Sequence, residues 1–288
     1  MTTVAPFVTW ESAVRWLRDQ PEQRDLVLSC FYDDPLLGAA ERYRCSTEWQ
    51  AIKHCCLPTS RGKALDLGAG RGIASYALVK EGFAVTALEP DPSALIGAGA
   101  IRSLGEQARV SIDIRSGYAE RIPANDGEFD LIFARAALHH ARDLSAACRE
   151  IFRVLKPGGR LVAVREHVIS TLADLPAFLA IHPLHRLYGG EHAFLLREYR
   201  SAMEAAGFAV VRTLEPLRSP INLFPQTNES LRRAVCERLA RIPVLSTVLD
   251  AVLSWRPAFD VLLWAMTRVD HRPGRLYSFI ADKPERAR

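Results

Sequence analysis

The segment ALDLGAGRG, residues 64–72, places a cluster of glycines directly after a short apolar run. Glycine permits positive φ and close approach of the backbone to a ligand, and a helix that starts there offers free N–H groups. A dinucleotide-binding fingerprint requires a third glycine at the place of Ile73, so the spacing disfavours NAD. A ligand-binding turn is predicted, with a tight strand-to-helix turn that holds no ligand as the alternative.

Two acidic residues end the first two predicted strands. The charge of Asp66 would repel a pyrophosphate but would attract the ammonium group of an amino acid. Glu89 stands where a carboxylate can accept hydrogen bonds from both hydroxyls of a ribose, with a solvated acid in a turn as the alternative. The pair favours a cofactor that carries an amino-acid group.

Four polar side chains lie at or after the ends of the predicted fourth and fifth strands. His139 and His140 follow the fourth strand, Glu166 is the last residue of the fifth, and His167 follows it. Ligands of open α/β sheets bind at the carboxyl ends of strands, and histidine is suited to accept a proton near neutral pH. We therefore take His140, Glu166 and His167 as candidate catalytic residues. A packing role for His139 and His140 is the alternative.

A second histidine-rich segment, HPLHRLYGGEH, covers residues 182–192. Its spacing matches no familiar zinc motif, so we predict no metal site. The Tyr-Gly-Gly turn within it would present Glu191 and His192 to a substrate.

The elements that must position these residues alternate from Lys63 onward between short apolar runs and amphipathic helices. This alternation predicts a parallel sheet with helices on both faces. The predicted strands cover residues 64–67, 84–89, 110–115, 129–134, 160–166, 208–214 and 276–281, and the predicted helices lie near 72–81, 92–104, 142–156 and 194–206.

Helical segments flank this core on both sides. Residues 1–60 are predicted to form an N-terminal helical lid, including one long helix from Pro35 to Pro58. Residues 61–215 form the core, and residues 216–288 add a helical insertion and a final strand to the same domain. In the insertion, Asn228 is a plausible N-cap and Pro243 and Pro257 are breaks, and its tryptophans line either an acceptor pocket or a helix core.

The composition is that of an ordinary globular protein, with 49% hydrophobic and 24% charged residues. The net charge of +4 is spread without a basic block, so no nucleic-acid partner is expected. The N-terminus lacks the pattern of a secretory signal, and residues 244–266 are too polar to span a membrane. The six cysteines form no CxxC pair. We therefore expect a cytoplasmic protein with reduced thiols, of unknown oligomeric state.

Further motifs complete a family pattern in the expected order. They are GYAERIP at residues 117–123, Phe129-Asp130, Leu138-His139-His140, and REIFRVLKPGG at residues 149–159. With the glycine turn and Glu89, they make residues 60–215 resemble the class I S-adenosylmethionine-dependent methyltransferases. The resemblance implies a doubly wound, mostly parallel seven-stranded sheet with an antiparallel last strand.

The resemblance also implies which residues bind S-adenosylmethionine. Asp66, Gly68 and Gly70 would surround its methionine part, and Glu89 would hold its ribose. Arg135 would line the floor of the site.

The adenine contact departs from the family pattern. Ala119 and Glu120 would lie near the base, but Tyr118 stands where relatives often carry an acid. Either Tyr118 stacks on the adenine or Glu120 supplies the polar contact.

The leading hypothesis is therefore an enzyme that transfers a methyl group from S-adenosylmethionine to an oxygen, nitrogen or carbon of a small molecule. Such a transfer needs mainly an in-line approach, so positioning alone supplies much of the rate. Two alternatives stay open at this point: a non-catalytic module that binds S-adenosylmethionine or S-adenosylhomocysteine, and a nicotinamide-dependent oxidoreductase.

Overall fold

A computed structural model describes residues 9–239 and 251–285. The predicted helix break at Pro243 lies outside these residues. So do residues 1–8, which carry part of the prediction that no secretory signal is present.

The centre of the protein is one sheet in the order β3-β2-β1-β4-β5-β8-β7, with β6 paired to the end of β5. Strand β8 is antiparallel to both of its neighbours, and the other pairs are parallel. The doubly wound sheet with an antiparallel last strand is confirmed, and the two-residue β6 is an addition to it. The strands are β1 Lys63–Leu67, β2 Ala84–Leu88, β3 Asp113–Arg115, β4 Phe129–Arg135, β5 Leu155–Ile169, β6 Phe194–Leu195, β7 Ala209–Leu214 and β8 Arg275–Asp282.

Helices cover both faces of this sheet. One apolar core contains Trp49, Tyr76 and Phe133, and a second contains Tyr199 and Phe279. The helices are α1 Trp10–Arg18, α2 Arg24–Ser29, α3 Leu36–Cys45, α4 Thr47–Cys55, α5 Ile73–Lys80, α6 Ala98–Ala108, α7 Leu144–Val154, α8 Leu175–Ile181, α9 Pro183–Leu187, α10 Leu196–Ala206, α11 Pro220–Leu223, α12 Asn228–Leu239 and α13 Arg256–Val269.

The long helix predicted from Pro35 to Pro58 is in fact two helices. Ser46 separates α3 from α4, because its extended backbone interrupts the helix and its hydroxyl accepts the N–H of Trp49 at 3.1 Å. This is a standard N-cap, which serine favours. Both helices pack against the sheet, through contacts such as that between the Trp49 and Phe133 rings.

Two other predicted helices have different bounds. Helix α6 begins only at Ala98, since Asp91 and Ser93 use their side chains in local turns before it. Helix α7 ends at Val154, because the following Leu155 already pairs with Phe129 in the sheet.

The first two helices, α1 and α2, pack together over the glycine turn. Val14 and Leu17 of α1 share an apolar cluster with Ile96 and with Leu187 of α9. The indole of Trp10 lies 4.0 Å from the place that a Cβ would occupy at Gly70. We call α1, α2 and α9 the cover of the turn.

In the C-terminal region, Trp255 and Trp264 are 66% and 47% exposed, whereas Leu263 is buried. Trp255 and Trp264 are therefore neither in a helix core nor in an enclosed pocket. None of the helices described here combines the length and the apolar character that a membrane span requires.

Candidate active site

The glycine turn has the backbone that its sequence predicts. Gly68, Gly70 and Gly72 have φ of +66°, +54° and +80°, a region that other residues rarely adopt. A Cβ at Gly68 would lie 3.0 Å from the Cβ of Ala137, so a side chain would also crowd the segment after β4. The turn thus lies directly against the loop that carries the candidate histidines.

Asp66 and Glu89 are buried beside this turn. The hydroxyl of Ser75 donates to Asp66 at 2.6 Å, yet burial raises the pKa of this aspartate to about 6. Glu89 accepts the N–H groups of Gly70 and Asp91 at 2.7 and 2.9 Å, and burial raises its pKa to about 7. A ligand that brings positive charge and hydroxyl donors would favour the ionised form of both. These residues fit an amino-acid-bearing nucleoside.

The adenine candidates lie on the segment after β3. Ala119 packs against the apolar core, and the carboxylate of Glu120 accepts the N–H of Arg142 at 2.7 Å. Tyr118 is 65% exposed and bridges to Arg121. Glu120 therefore fastens this segment to the loop before α7.

Arg135 directs its hydrogen bonds toward the N-terminal helices. Its guanidinium donates to the buried carboxylate of Glu48 at 2.7 and 2.9 Å and lies over the rings of Phe31 and Tyr43. The sequence analysis did not single out Glu48. The sequence feature that pointed to Glu48 was an acidic residue next to the apolar Trp49 on a predicted helix.

Glu166 is fully buried and organises the loop after β4. Its carboxylate accepts the N–H groups of Ala137, Leu138 and His139 at 3.2, 3.1 and 3.0 Å. It also contacts Nδ1 of His139 at 2.8 Å. Glu166 thus holds the 3₁₀ turn Leu138–His140 in place, which is a positioning role.

Five side chains converge at this edge of the sheet, and we call them the histidine cluster: His139, His140, His167, His182 and Glu191. The ring of His139 lies 4.2 Å from that of His140 and 4.6 Å from that of His167, measured between centroids. The ring of His182 lies 5.1 Å from His167. Glu191 approaches His139 Nε2 at 3.4 Å, His182 Nδ1 at 3.9 Å and His140 Nε2 at 4.0 Å.

Backbone carbonyls define the tautomers of two of these histidines. Nδ1 of His140 lies 3.0 Å from the oxygen of Gly190, and Nδ1 of His167 lies 3.1 Å from that of Gly274. A carbonyl only accepts, so each Nδ1 carries the hydrogen and each Nε2 keeps a lone pair. Burial lowers the pKa of both rings, and the charge of His139 lowers it further. Both are therefore neutral at physiological pH.

His139 and Glu191 form a charged pair within the cluster. Burial opposes the charge on His139, but the carboxylates of Glu166 and Glu191 raise its pKa to about 9. Burial likewise opposes ionisation of Glu191, but the surrounding histidines lower its pKa to about 2. An imidazolium between two carboxylates results.

Only some residues of the histidine-rich segment, residues 182–192, belong to the histidine cluster. Glu191 and His182 enter the cluster, whereas the ring of His192 packs on Phe194 at 4.4 Å between centroids. The turn at residues 188–190 thus presents Glu191 inward. Sequence spacing did not predict this cluster, because its members come from three separate segments.

Comparison with known proteins supports the same class of chemistry. Residues 65–163 match the family model of a methyltransferase domain. An uncharacterized methyltransferase of Synechocystis is 34% identical over 157 residues, which cover 52% of this chain and 68% of that protein. One of Mycobacterium tuberculosis is 37% identical over 139 residues, covering 48% of this chain. This chain spans about half, 52%, of the length of the Mycobacterium tuberculosis protein.

Solved structures share the fold at low sequence identity. A putative sarcosine dimethylglycine methyltransferase from Galdieria sulphuraria superposes with a TM-score of 0.53 at 20% identity, covering 93% of this chain and 90% of that one. A geranyl diphosphate methyltransferase in complex with sinefungin gives 0.55 at 19% identity, covering 81% and 77%. The sheet order, the glycine turn, its two buried carboxylates and these relatives agree. The chain belongs to the class I S-adenosylmethionine-dependent methyltransferases.

Proposed function

We propose that this protein methylates an oxygen or nitrogen atom of a small molecule that lies next to His140. The observation that carries this proposal is the state of the His140 ring. The ring is held by the Gly190 carbonyl, keeps a lone pair at Nε2, and has a side chain that is 46% exposed. It also belongs to the loop that packs against Gly68. A neutral, accessible base therefore stands beside the glycine turn.

The cofactor-binding part of the proposal follows the residues of the turn. Asp66, Gly68 and Gly70 would bind the methionine part, Glu89 the ribose, and the segment with Ala119 and Glu120 the adenine. When bound, S-adenosylmethionine supplies a methyl group on a positively charged sulfur. We assign Arg135 a supporting role, since its Nε and Nη2 donate to Glu48.

The catalytic part assigns one step to His140. Its Nε2 accepts the proton of the acceptor's O–H or N–H group, which leaves a lone pair free to attack. Glu166 supports this step indirectly, because it holds the 3₁₀ turn that carries His140. His167 is the second candidate for the base, but it is held deeper in the cluster, between His139 and Phe178.

A small acceptor suits the cover of the turn. Val14 and Leu17 of α1 share an apolar cluster with Leu187 of α9, and Trp10 of α1 lies against Gly70. Such a cover would enclose a small molecule and exclude water. The modest net charge of +4 offers no strong attraction for a nucleic acid.

The test begins with titration calorimetry of S-adenosylmethionine and S-adenosylhomocysteine, followed by a labelled-methyl screen. The screen uses host extract separated into small molecules, proteins and nucleic acids. We expect label in the small-molecule fraction. Label confined to a macromolecular fraction would overturn the acceptor class, and binding with no labelled product would favour the non-catalytic module.

With an acceptor in hand, His140→Ala should lower turnover by about 10²- to 10⁴-fold, the usual contribution of a general base. Its affinity for S-adenosylhomocysteine should stay within about twofold of wild type, since the ring is not part of the glycine turn. His54→Ala, which removes an exposed histidine on α4, is the matched control. If His140→Ala keeps full turnover, the assignment fails, and His167→Ala then tests the second candidate.

A further inference from the structure

We propose that His139, His167 and Glu191 form a binding site for one divalent transition metal ion, such as Zn²⁺. Each residue offers one ligand atom, and the three atoms lie within 4.8 Å of one another. Small side-chain rotations would bring them to the metal–ligand distances of about 2.0–2.2 Å that zinc requires. This inference concerns binding of the ion and does not depend on methyl transfer.

The two histidines are oriented as metal ligands are. Nδ1 of His167 donates to the Gly274 carbonyl, which leaves its Nε2 as the ligand atom. Nδ1 of His139 faces Glu166, whose carboxyl group already accepts three backbone N–H groups. Metal-binding histidines almost always donate their other N–H to such a carboxylate or carbonyl. Both supporting contacts exist here without the ion.

Glu191 supplies the independent observation. Its Oε2 atom is buried, and within the described residues it has no hydrogen-bond partner. Its ion-pair contact with Nε2 of His139 is 3.4 Å long. Oε2 thus has only an ion-pair contact with His139, and a metal ion that displaced the Nε2 proton of His139 would give this oxygen a direct partner.

The donor set indicates which class of ion binds. Two imidazole nitrogens and one carboxylate oxygen suit zinc, iron and similar ions, whereas magnesium and calcium prefer oxygen ligands alone. Two-histidine, one-glutamate sets leave a coordination position open in catalytic zinc sites. If the proposed function also holds, an ion beside His140 would polarise an acceptor hydroxyl.

The test uses the full chain without an affinity tag, stripped with a chelator and dialysed. Zn²⁺ is titrated by calorimetry, and Co²⁺ is bound as a probe with a visible ligand-field spectrum. We expect one ion per chain, with affinity lowered at least 100-fold in His167→Ala and in Glu191→Gln. His192→Ala is the matched control, because that neighbouring ring packs on Phe194 outside the cluster.

Two results would overturn the site. One is a wild-type protein that binds no stoichiometric ion, and the other is equal affinity in wild type and both ligand variants. Affinity for S-adenosylhomocysteine reports whether each variant is folded. If Glu191→Gln does not fold, the Co²⁺ spectrum of His167→Ala decides the question. Since no readout uses methyl transfer, failure of the proposed acceptor chemistry would leave these results unaffected.

Discussion

Glu89 braces the glycine turn with the same carboxylate that we propose holds the ribose. Without a ligand, it accepts the N–H groups of Gly70 and Asp91 and so braces the glycine turn. With its pKa raised to about 7, it is only partly ionised at neutral pH. Ionising it destabilises the free protein. Its contribution to the free energy of unfolding is fully present below its ordinary pKa of 4.5 and is lost as the pH rises through about 7.

A ribose favours the ionised carboxylate, so cofactor binding should respond to pH. We expect the affinity for S-adenosylhomocysteine to rise about tenfold from pH 6 to pH 8, measured by calorimetry. Glu89→Gln should flatten most of this slope and weaken binding by about tenfold or more, since a hydrogen bond to a charged group contributes about 1.5–3 kcal/mol. Because Asp66 has a pKa of about 6, the affinity of the variant should still depend on pH, but less steeply. Parallel pH curves for the two proteins would refute the ribose role.

At this scale, local patterns predicted some residues and not others. The conformations of Gly68 and Gly70 and the burial of Glu89 follow from the order strand, turn, helix within a short stretch. The pairing of Glu48 with Arg135, and the place of Glu191 in the histidine cluster, depend on how distant segments fold together. No spacing rule contains that information.

At the scale of elements, Arg71 ties the glycine turn to the segment between α2 and α3. Its buried guanidinium donates to the carbonyls of Phe31 and Asp33 at 2.7 and 2.8 Å and to Asp34 at 2.6 Å. The Arg71 side chain thus connects the glycine turn to the segment that follows helix α2 of the cover. Opening of the cover and distortion of the turn should therefore be coupled.

Arg71→Ala should loosen the cover, because these charge-assisted hydrogen bonds have no replacement in alanine. We expect faster amide exchange in residues 10–34 and about tenfold weaker binding of S-adenosylhomocysteine, measured by hydrogen–deuterium exchange and calorimetry. Arg15→Ala removes an arginine of α1 whose side chain is 67% exposed and should change neither. Unchanged exchange in Arg71→Ala would show that the cover is held by its apolar contacts alone.

The spacing of apolar residues predicted some helices and strands well and others poorly. Strands β1, β2, β4, β7 and β8 were predicted nearly to their bounds, because each is a short apolar run between turn residues. Strand β5 is longer at both ends than the predicted 160–166, and β3 is shorter than the predicted 110–115. The division of α3 from α4 at Ser46 was missed, since the apolar residues on both sides keep a helical spacing. Strand β6 has two residues, which is too short for an alternation of apolar and polar residues to be recognised.

Across the whole molecule, the Glu48–Arg135 pair joins the N-terminal helical layer to the sheet. The Glu48 side chain is fully buried, and Arg165 also approaches it at 3.8 Å. Removing one partner of a buried pair leaves the other charge uncompensated. A single substitution in this pair is therefore expected to destabilise the entire fold.

Glu48→Ala should lower the free energy of unfolding by about 3–5 kcal/mol, measured by denaturant titration. Glu22→Ala, at an exposed position before α2, should change it by less than about 0.5 kcal/mol. A loss below about 1 kcal/mol in Glu48→Ala would mean that water or a neighbouring donor compensates the arginines.

The place of β8 between β5 and β7 has a consequence for the order in which the protein is made. Strand β7 pairs with β8 within the described residues, yet β8 follows it by sixty residues of chain. The glycine turn, Asp66 and Glu89 all precede β7 in the chain, whereas β7 can pair with β8 only after residues 275–282 have been synthesised. Gly274, whose carbonyl holds His167, also arrives with β8. The residues proposed to bind the cofactor are therefore synthesised before the Gly274 contact of the histidine cluster can form.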